Sequence, residues 1–554
     1  MDKRKLKIGI LLDSFDVSAW SYRSIERVVN SGCAEISVII VNDVRRDVYK
    51  SKLEGLWKNR DKAFYYLLNK IDRHFFRKKP DAFEVKDVRE ILSGVPTIRV
   101  NPVQEKGADY FAPHDIDEVR RYDLDILVKM GFGVLRGDVL TSSKHGAWSY
   151  HHGDNRVNSG GPPGFWASIE SWPEMGSTLR VLSENPDGGK VLYRSWSPTN
   201  KLSPYRNRNG YYWTSSFFLA RQIKCLYDLG EERFFQEIER FNQEPDFSSG
   251  LPDKTPSNLA ALRALAIYLS KMAFECLRKV CYRDQWYLLF DLGPGASKAL
   301  GEFKEIVPPK DRFWADPHVI QADGKFYIFI EEYLYKARKA HISVIEMDRE
   351  GNYKAPVRVL ERRYHLSYPV VFELEGTYHM IPESERNRTI ELYECIEFPY
   401  EWRFKMNLME GVRAVDTTPF FHNGKWWLFA NMSENEGSLV YDELFLFYSD
   451  RLATRQWTPH PLNPIVSDVK SARPAGPIFA RDGRIFRPSQ DCSVRYGHGI
   501  NINEILLLSE TEYLEKKTAS ITPSWSRRVK ATHSFATAGE LTVIDASRLR
   551  RRIL

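Results

Sequence analysis

ADPHVIQADGKFYIFIEE (315–332), SYPVVFELEGTYHMIPES (367–384), DTTPFFHNGKWWLFANMS (416–433) and AGPIFARDGRIFRPSQD (475–491) are four versions of one pattern. Each has a Pro entering an apolar run, a tight turn with Gly, and a second apolar run. Gly and its neighbour supply the positive backbone angles that a short hairpin turn needs. The turn glycines Gly324, Gly376, Gly424 and Gly483 are spaced 52, 48 and 59 residues apart, and Gly539 in THSFATAGELTVIDAS (532–547) follows after 56 more. A hairpin repeated at this spacing, with room for two further strands per copy, predicts a β-propeller of five blades over 283–554. The segment QWYLLFD (285–291) precedes the first full copy and is placed to pair with the C-terminal strands and close the ring.

Upstream the pattern changes. Lys7 to Leu12, Glu35 to Val41 and Ile126 to Met130 read as buried strands, and Ser18 to Asn30 has helical spacing with a Ser at its start. Alternating strands and helices predict an α/β domain over 1–200, a parallel sheet with helices on both faces. Its ligands belong beyond the carboxyl ends of the strands. Residues 201–282 read as a helical connector, with Trp213 to Leu229, Glu231 to Asn242 and Pro256 to Val280 as its helices, punctuated at Ser249 to Pro252.

At 554 residues the chain exceeds one hydrophobic core and is multidomain. With 43% hydrophobic and 28% charged residues it has a globular composition, and its net charge of +7 is small for the length. Six scattered cysteines without metal-type spacing read as reduced thiols, the usage of a cytoplasmic protein. The most apolar stretch, Leu259 to Val280, carries Arg263, Lys271, Glu275 and Arg278, and reads as a packed amphipathic helix rather than a membrane span. Basic residues are dispersed and no aromatic–basic motif predicts nucleic-acid binding. The cluster from Arg548 to Arg552 is the one feature pointing to peripheral contact with acidic lipid. Oligomeric state is left open.

Propeller strands send their ends toward a central channel, so polar residues at equivalent repeat positions are candidate site residues. Seven residues beyond each turn Gly stand Glu331, Glu383, Asn431 and Gln490, with Glu332 and Asp491 next to two of them. Asp316 and Asp416 begin the first strands of two copies, and Arg413, Arg473 and His533 lie near corresponding starts. Paired carboxyls suit acid–base work at a glycosidic bond, and Phe313, Trp314, Tyr333, Trp426 and Trp427 are candidates for stacking on sugars.

The stretch from Tyr122 to Arg194 resembles the formyltransferase family. Gly146–Ala147–Trp148–Ser149–Tyr150–His151 occupies that family's G-x-x-N-x-H frame, and Asp187–Gly188–Gly189 its D-x-G frame. The resemblance implies catalytic roles for His151 and Asp187, with Ser149 where the family has Asn. It implies 10-formyltetrahydrofolate as co-substrate and an amino sugar among the acceptors. A tetrahedral oxyanion needs a placed donor and the attacking amine must lose a proton. His151 suits the first task and Asp187 the second or the orientation of His151; His152, Asp154 and Asn155 are candidate substrate contacts.

The repeat region resembles the five-bladed propellers of glycoside hydrolase families 43, 32 and 68, whose ADP-like entry motif carries a catalytic Asp. It is more similar to the propeller region of plant glucosamine inositolphosphorylceramide transferases. The first resemblance implies Asp316 with Glu383 or Asp416 as a carboxyl pair, although Ser367–Tyr368–Pro369 stands where those hydrolases carry a further Asp. No metal is expected. The combined expectation is a transferase of cell-surface glycan biosynthesis: formyl or related acyl transfer to an amino sugar, with the propeller holding a carbohydrate or nucleotide-sugar. The alternatives are a glycan-processing enzyme using the propeller carboxylates, and a non-catalytic glycan-binding scaffold.

Overall fold

The computed structural model describes residues 3–43, 60–105, 107–153, 162–185, 189–243, 255–293 and 299–552. The chain divides into two compact units, one comprising Met1–Lys271 with Asn435–Ser438, the other Met272–Glu434 with Leu439–Leu554.

The first unit is built on seven strands: β1 (Leu6–Leu12), β2 (Ala34–Asn42), β3 (Thr97–Val100), β4 (Ile126–Lys129), β5 (Ala147–His152), β6 (Glu174–Val181) and β7 (Val191–Pro198), in the order β7-β6-β5-β4-β1-β2-β3. Strands β1 to β5 pair in parallel, whereas β6 runs antiparallel to both β5 and β7. The sheet is therefore mixed, which corrects the expectation of a parallel one. Loop length accounts for the β6–β7 pair, since only nine residues, 182–190, join the two strands. A parallel crossover needs about a dozen or more.

Both faces are covered, as the two-residue period of a buried strand requires. Ile8, Ile10 and Leu12 of β1 enter one core and Leu11 the other. The first core also takes Ile25 and Val28 of helix α1 (Ala19–Val29). Helix α2 is Ala63–Phe76 and α3 Pro204–Ser215; α4 (Phe218–Leu229) and α5 (Glu231–Phe241) add Phe218, Ile223, Phe234 and Ile238 to that same core. Residues 201–271, expected as part of a connector, thus fold with the sheet. Helix α6 (Asn258–Cys281) buries Ala261, Ala264 and Tyr268 but leaves Leu259, Leu262, Leu269, Phe274, Leu277 and Val280 exposed. It is packed on one side only. The expected break at Ser249 to Pro252 lies outside the described residues.

The second unit is a succession of antiparallel sheets. The first contains Arg312–Ala322, Lys325–Leu334, Lys339–Met347 and Val357–Leu360; the second Ser367–Leu374, Thr377–Ser384, Thr389–Glu397 and Glu401–Glu410. The third contains Ala414–His422, Lys425–Met432, Leu444–Ser449 and Thr458–Pro459; the fourth Phe479–Arg481, Arg484–Asp491, Gly499–Leu508 and Tyr513–Ile521. A fifth sheet joins Tyr282–Leu292 and Lys304–Ile306 to Val529–Ala531, Phe535–Ala538 and Leu541–Arg551. Tyr282–Leu292 pairs along its whole length with Leu541–Arg551, so the segment around 285–291 does meet the C-terminal strands. The turns Asp323–Gly324, Glu375–Gly376, Asn423–Gly424 and Asp482–Gly483 have positive φ at both residues, the geometry of tight hairpins.

Apolar side chains knit each sheet to the next. Phe329 of the first meets Val371 and Met380 of the second; Ile381 and Leu392 meet Ala414 and Leu428 of the third; Trp427 and Leu446 meet Ile478 and Ile505 of the fourth. Phe479 of the fourth lies 5.8 Å from Phe535 of the fifth, whose Leu288, Phe290 and Val543 pack with Val319 and Ile328 of the first. The order is cyclic and propeller-like.

Candidate functional site: a polar hub where five sheets converge

The opening strand of each of the first three sheets carries a bulge eight residues before its turn Gly. The pairing slips between Ala315 and His318, between Ser367 and Val370, and between Val415 and Thr418. Inside each slip one residue is left-handed: Asp316 (φ 50°), Tyr368 (φ 43°) and Asp416 (φ 51°). For a residue with a Cβ this costs about 1–2 kcal/mol. Bulges re-aim side chains and recur beside functional sites, and here all three point to one place.

There, Asp316 Oδ1 accepts a hydrogen bond from Ser534 Oγ at 2.8 Å, and its Oδ2 accepts the backbone N–H of Tyr368 at 3.3 Å. The Tyr368 hydroxyl reaches across to Thr418 Oγ1 at 3.0 Å and accepts the Gly476 N–H at 2.7 Å. Arg473 Nε donates to Asp416 Oδ2 at 2.5 Å, and Gln490 Nε2 donates to the same oxygen at 2.8 Å. A guanidinium nitrogen of Arg473 also stands 3.6 Å from Glu383 Oε2. His533 lies between two carboxylates, 2.6 Å from Asp545 and 3.3 Å from Asp316. Every sheet contributes, and Asp316, Asp416, Arg473, Gln490, His533 and Asp545 are all buried.

Crowding acids in a place with little water drives protons onto them. Burial, with the charges of Asp416 and Asp545 and against that of His533, pushes Asp316 up to about 6. Glu383 is held well above its ordinary range by burial and by the neighbouring Asp416, with Arg473 opposing. Glu331 is raised well above too, by burial and then by Asp316, Glu383 and Asp416. Burial pulls His533 down, but Asp545 and Asp316 outweigh it and the imidazole is raised. The hub thus sets Glu383, biased toward its neutral form, beside Asp416, whose Oδ2 is held by two donors.

Asp316, His533 and Asp545 also have ligand atoms within 4.8 Å of one another, a spacing that suits a cation, where none was expected from the sequence. These atoms already hold other partners: Asp545 Oδ1 accepts the N–H groups of His533 and Ser534, and its Oδ2 accepts that of Asp316. His533 stands at ion-pair distance from both carboxylates, and the three side chains form one contiguous buried cluster. Beside it, Trp286 and Tyr496 lie 4.2 Å and 5.3 Å from the His533 ring, while Tyr441 and Tyr496 flank the Arg473 guanidinium at 5.5 Å and 4.9 Å. Tyr496 is exposed, so this aromatic wall meets solvent.

The remaining sequence candidates separate. Asn431 is fully buried at the position equivalent to Glu331, Glu383 and Gln490, and neither its side-chain N nor its O has a hydrogen-bond partner. Arg413 pairs with Glu385 at 3.0 Å, and Asp491 Oδ1 accepts from Ser493, so local partners hold both. Glu332 points away from its neighbour Glu331 and is ringed by Arg312, Trp314, His341 and Ser343, which hold it down at about 2 against the effect of burial. Of the expected sugar platforms, Trp314 and Trp427 are packed in the cores between sheets. Asp545, Tyr441 and Tyr496 were not anticipated. Asp545 sits six residues after Gly539, not seven, and that one-residue offset hid it from the repeat count.

In the first unit, Ser149 and His151 alternate along β5 and so share a face at its carboxyl end. Ser149 lies in register between Lys129 of β4 and Arg180 of β6, and His151 opposite Thr178. Burial lowers Lys129, against the charges of Asp13 and Asp109. His152 takes the other face of the strand. It is wedged among Trp20, Tyr150, Tyr211 and Tyr212, and burial presses it down to about 3. Asp154, Asn155 and Asp187 lie outside the described residues.

Fold and hub together define a propeller-like unit with an acidic, aromatic-flanked centre. Residues 304–547 match the family described as glucosamine inositolphosphorylceramide transferase 1, N-terminal. The chain is 32% identical over 206 residues to glucosamine inositolphosphorylceramide transferase 1 of Oryza sativa subsp. japonica, and 32% over 207 residues to that of Arabidopsis thaliana. Each match covers 37% of this chain and 27% of the relative, so the chain spans about a quarter of the length of the curated relatives it matches. Among solved structures, the family 117 glycoside hydrolase Zg3597 of Zobellia galactanivorans is similar with a TM-score of 0.32 at 11% identity, over 48% of this chain and 91% of that one. A thermostable family-43 glycoside hydrolase gives 0.31 at 13%, over 40% and 82%.

Proposed function

We propose that the second unit is a five-bladed propeller that binds a carbohydrate at its hub and acts on it by acid–base chemistry, as part of a glycan-modifying transferase. The observation that carries this reading is the convergence of Glu383, Asp416 and Asp316 in one hub, with Asp416 gripped by Arg473 and Gln490 and Glu383 and Asp316 both raised. Moving a glycosyl group requires a proton for the departing oxygen and a base for the incoming one. Glu383 is the donor, and Asp316, ionised above pH of about 6, is the base. Asp416, gripped by Arg473 and Gln490, keeps the proton on Glu383 by its charge. Tyr441, Tyr496 and Trp286 offer faces for sugar stacking. The relatives' name joins glucosamine to inositolphosphorylceramide, and an amino sugar or an inositol-linked glycan is the ligand class to try first.

The test is a panel of nucleotide-sugars, aryl glycosides and inositol glycans assayed for transfer or hydrolysis. Turnover abolished in Glu383→Gln and Asp316→Asn, with folding intact, supports the reading. Sugar binding without turnover would leave a glycan-holding scaffold in its place.

A second reading concerns the first unit, favoured by the shared face of Ser149 and His151 at the carboxyl end of the sheet. There the His151 imidazole would donate to the oxyanion of formyl or related acyl transfer from 10-formyltetrahydrofolate to an amino sugar. Release of tetrahydrofolate in the presence of amino-sugar nucleotides, lost in His151→Ala, is the expected result.

A further inference from the structure

We infer that helices α2 and α6 of the first unit form a docking surface for an anionic lipid bilayer. The two helices run side by side. Asn258 Oδ1 accepts the Phe64 N–H at 3.2 Å, Asn258 Nδ2 donates to the Arg60 carbonyl at 2.6 Å, and the Tyr268 hydroxyl donates to Asp72 Oδ1 at 3.3 Å. These contacts use their inner faces, where Tyr65, Leu68 and Asp72 of α2 and Ala261, Ala264 and Tyr268 of α6 are buried.

The outer faces are apolar at helical spacing. On α2 the stripe is Phe64, Leu67, Ile71 and Phe75, with Phe75 72% exposed; on α6 it is Leu259, Leu262, Ala266 and Leu269, with Leu259 80% exposed. Residues three and four apart share a helix face, so each set is a continuous ridge. Trp166 lines the same hollow as Leu259 and Leu262, and an indole with one apolar and one wet edge suits a lipid–water boundary. A soluble helix does not leave such a ridge uncovered without a partner.

Charge selects the partner. Residues 60–79 carry seven Lys and Arg against Asp61 and Asp72, and Asp72 is buried. Lys70 and Lys78 are exposed along and just beyond the apolar ridge of α2, while Arg73 and Arg77 share Asp81 and Lys79 pairs with Glu84, which leaves the strip net positive. A second copy of this face would bring like charges together, whereas anionic headgroups neutralise them. Apolar side chains entering the headgroup boundary, flanked by basic ones, form the pattern of an interfacial helix. Among the described residues no helix is long and apolar enough to cross a membrane, so this contact lies on the bilayer.

The experiment is flotation of the full chain with vesicles of phosphatidylcholine containing phosphatidylserine, and with phosphatidylcholine alone. Binding to the first and not the second, released by high salt, is expected. Lys70→Glu with Lys78→Glu should weaken binding roughly tenfold or more. Leu67→Gln with Phe75→Gln should weaken it as well, with unchanged circular dichroism and melting temperature as the check on folding. Indifference to both vesicles, or binding unmoved by either pair of substitutions, overturns the inference. So does a dimer in sedimentation that Leu67→Gln with Phe75→Gln dissolves, since that makes a second copy the occupant.

Discussion

Arg473 Nε lies 2.5 Å from Asp416 Oδ2, and the two side chains are only 8% and 2% exposed. This ion pair joins the opening strand of the third sheet to the approach to the fourth, and Gln490 completes the grip. Removing one member of such a pair strands the other charge. Arg473→Met should therefore destabilise the second unit by about 3–5 kcal/mol, read as a lowered urea midpoint. The double variant Arg473→Met with Asp416→Leu should recover much of the loss.

The hub should lose stability as pH rises. Asp316 is carried from 3.8 to about 6 on folding, so the native state holds a proton that the unfolded chain has released between those values. That contribution is full below pH 3.8 and gone above about 6, roughly 3 kcal/mol in all. His533, raised above 6.5, acts with the same sign at higher pH. Melting temperatures of the wild type and Asp316→Asn across pH 3 to 7 should differ most above about pH 6, with the variant the more stable, and converge as pH falls toward 3.8.

Tyr368→Phe removes the hydroxyl that accepts the buried Gly476 N–H and contacts Thr418. An orphaned buried donor costs about 1–3 kcal/mol. A fall of that size in unfolding free energy is expected, with the hub carboxylates still in place.

Asn431 offers the reverse effect. Its amide is buried without a partner in the ligand-free hub, a state that costs about 1–3 kcal/mol. Asn431→Leu should raise the melting temperature and weaken glycan binding, a trade that calorimetric titration of the variant would detect.

Much of this architecture is legible in the sequence because it depends on local rules. The turn pairs Asp323–Gly324, Glu375–Gly376 and Asp482–Gly483 announce hairpins through their backbone demands, and counting from them finds Glu331, Glu383 and Gln490. What counting misses is set by register. The bulges at Asp316, Tyr368 and Asp416 arise from how two strands slip past each other, and nothing in either strand alone reveals which side chain is turned inward. Arg413 and Arg473 look alike as residues near a strand start, yet only Arg473 has a buried carboxylate within reach. In the first unit the strands were readable from their apolar runs, while the antiparallel edge depended on the length of 182–190. The pairing of His152 with aromatic neighbours from distant helices was beyond any local pattern.

The fifth sheet has a consequence in time. Its strand Tyr282–Leu292 first finds only the short Lys304–Ile306 and lacks its full-length partner until Leu541–Arg551 exists, and the ribosome must add roughly 250 residues in between. At about 5–20 residues per second that is a wait of some 12–50 s. Through that interval a strongly apolar strand keeps one long edge without its partner while the other four sheets form behind it. The cyclic unit therefore closes only once Leu541–Arg551 has been made, and the stretch 282–292 is where a chaperone should be found on the nascent chain.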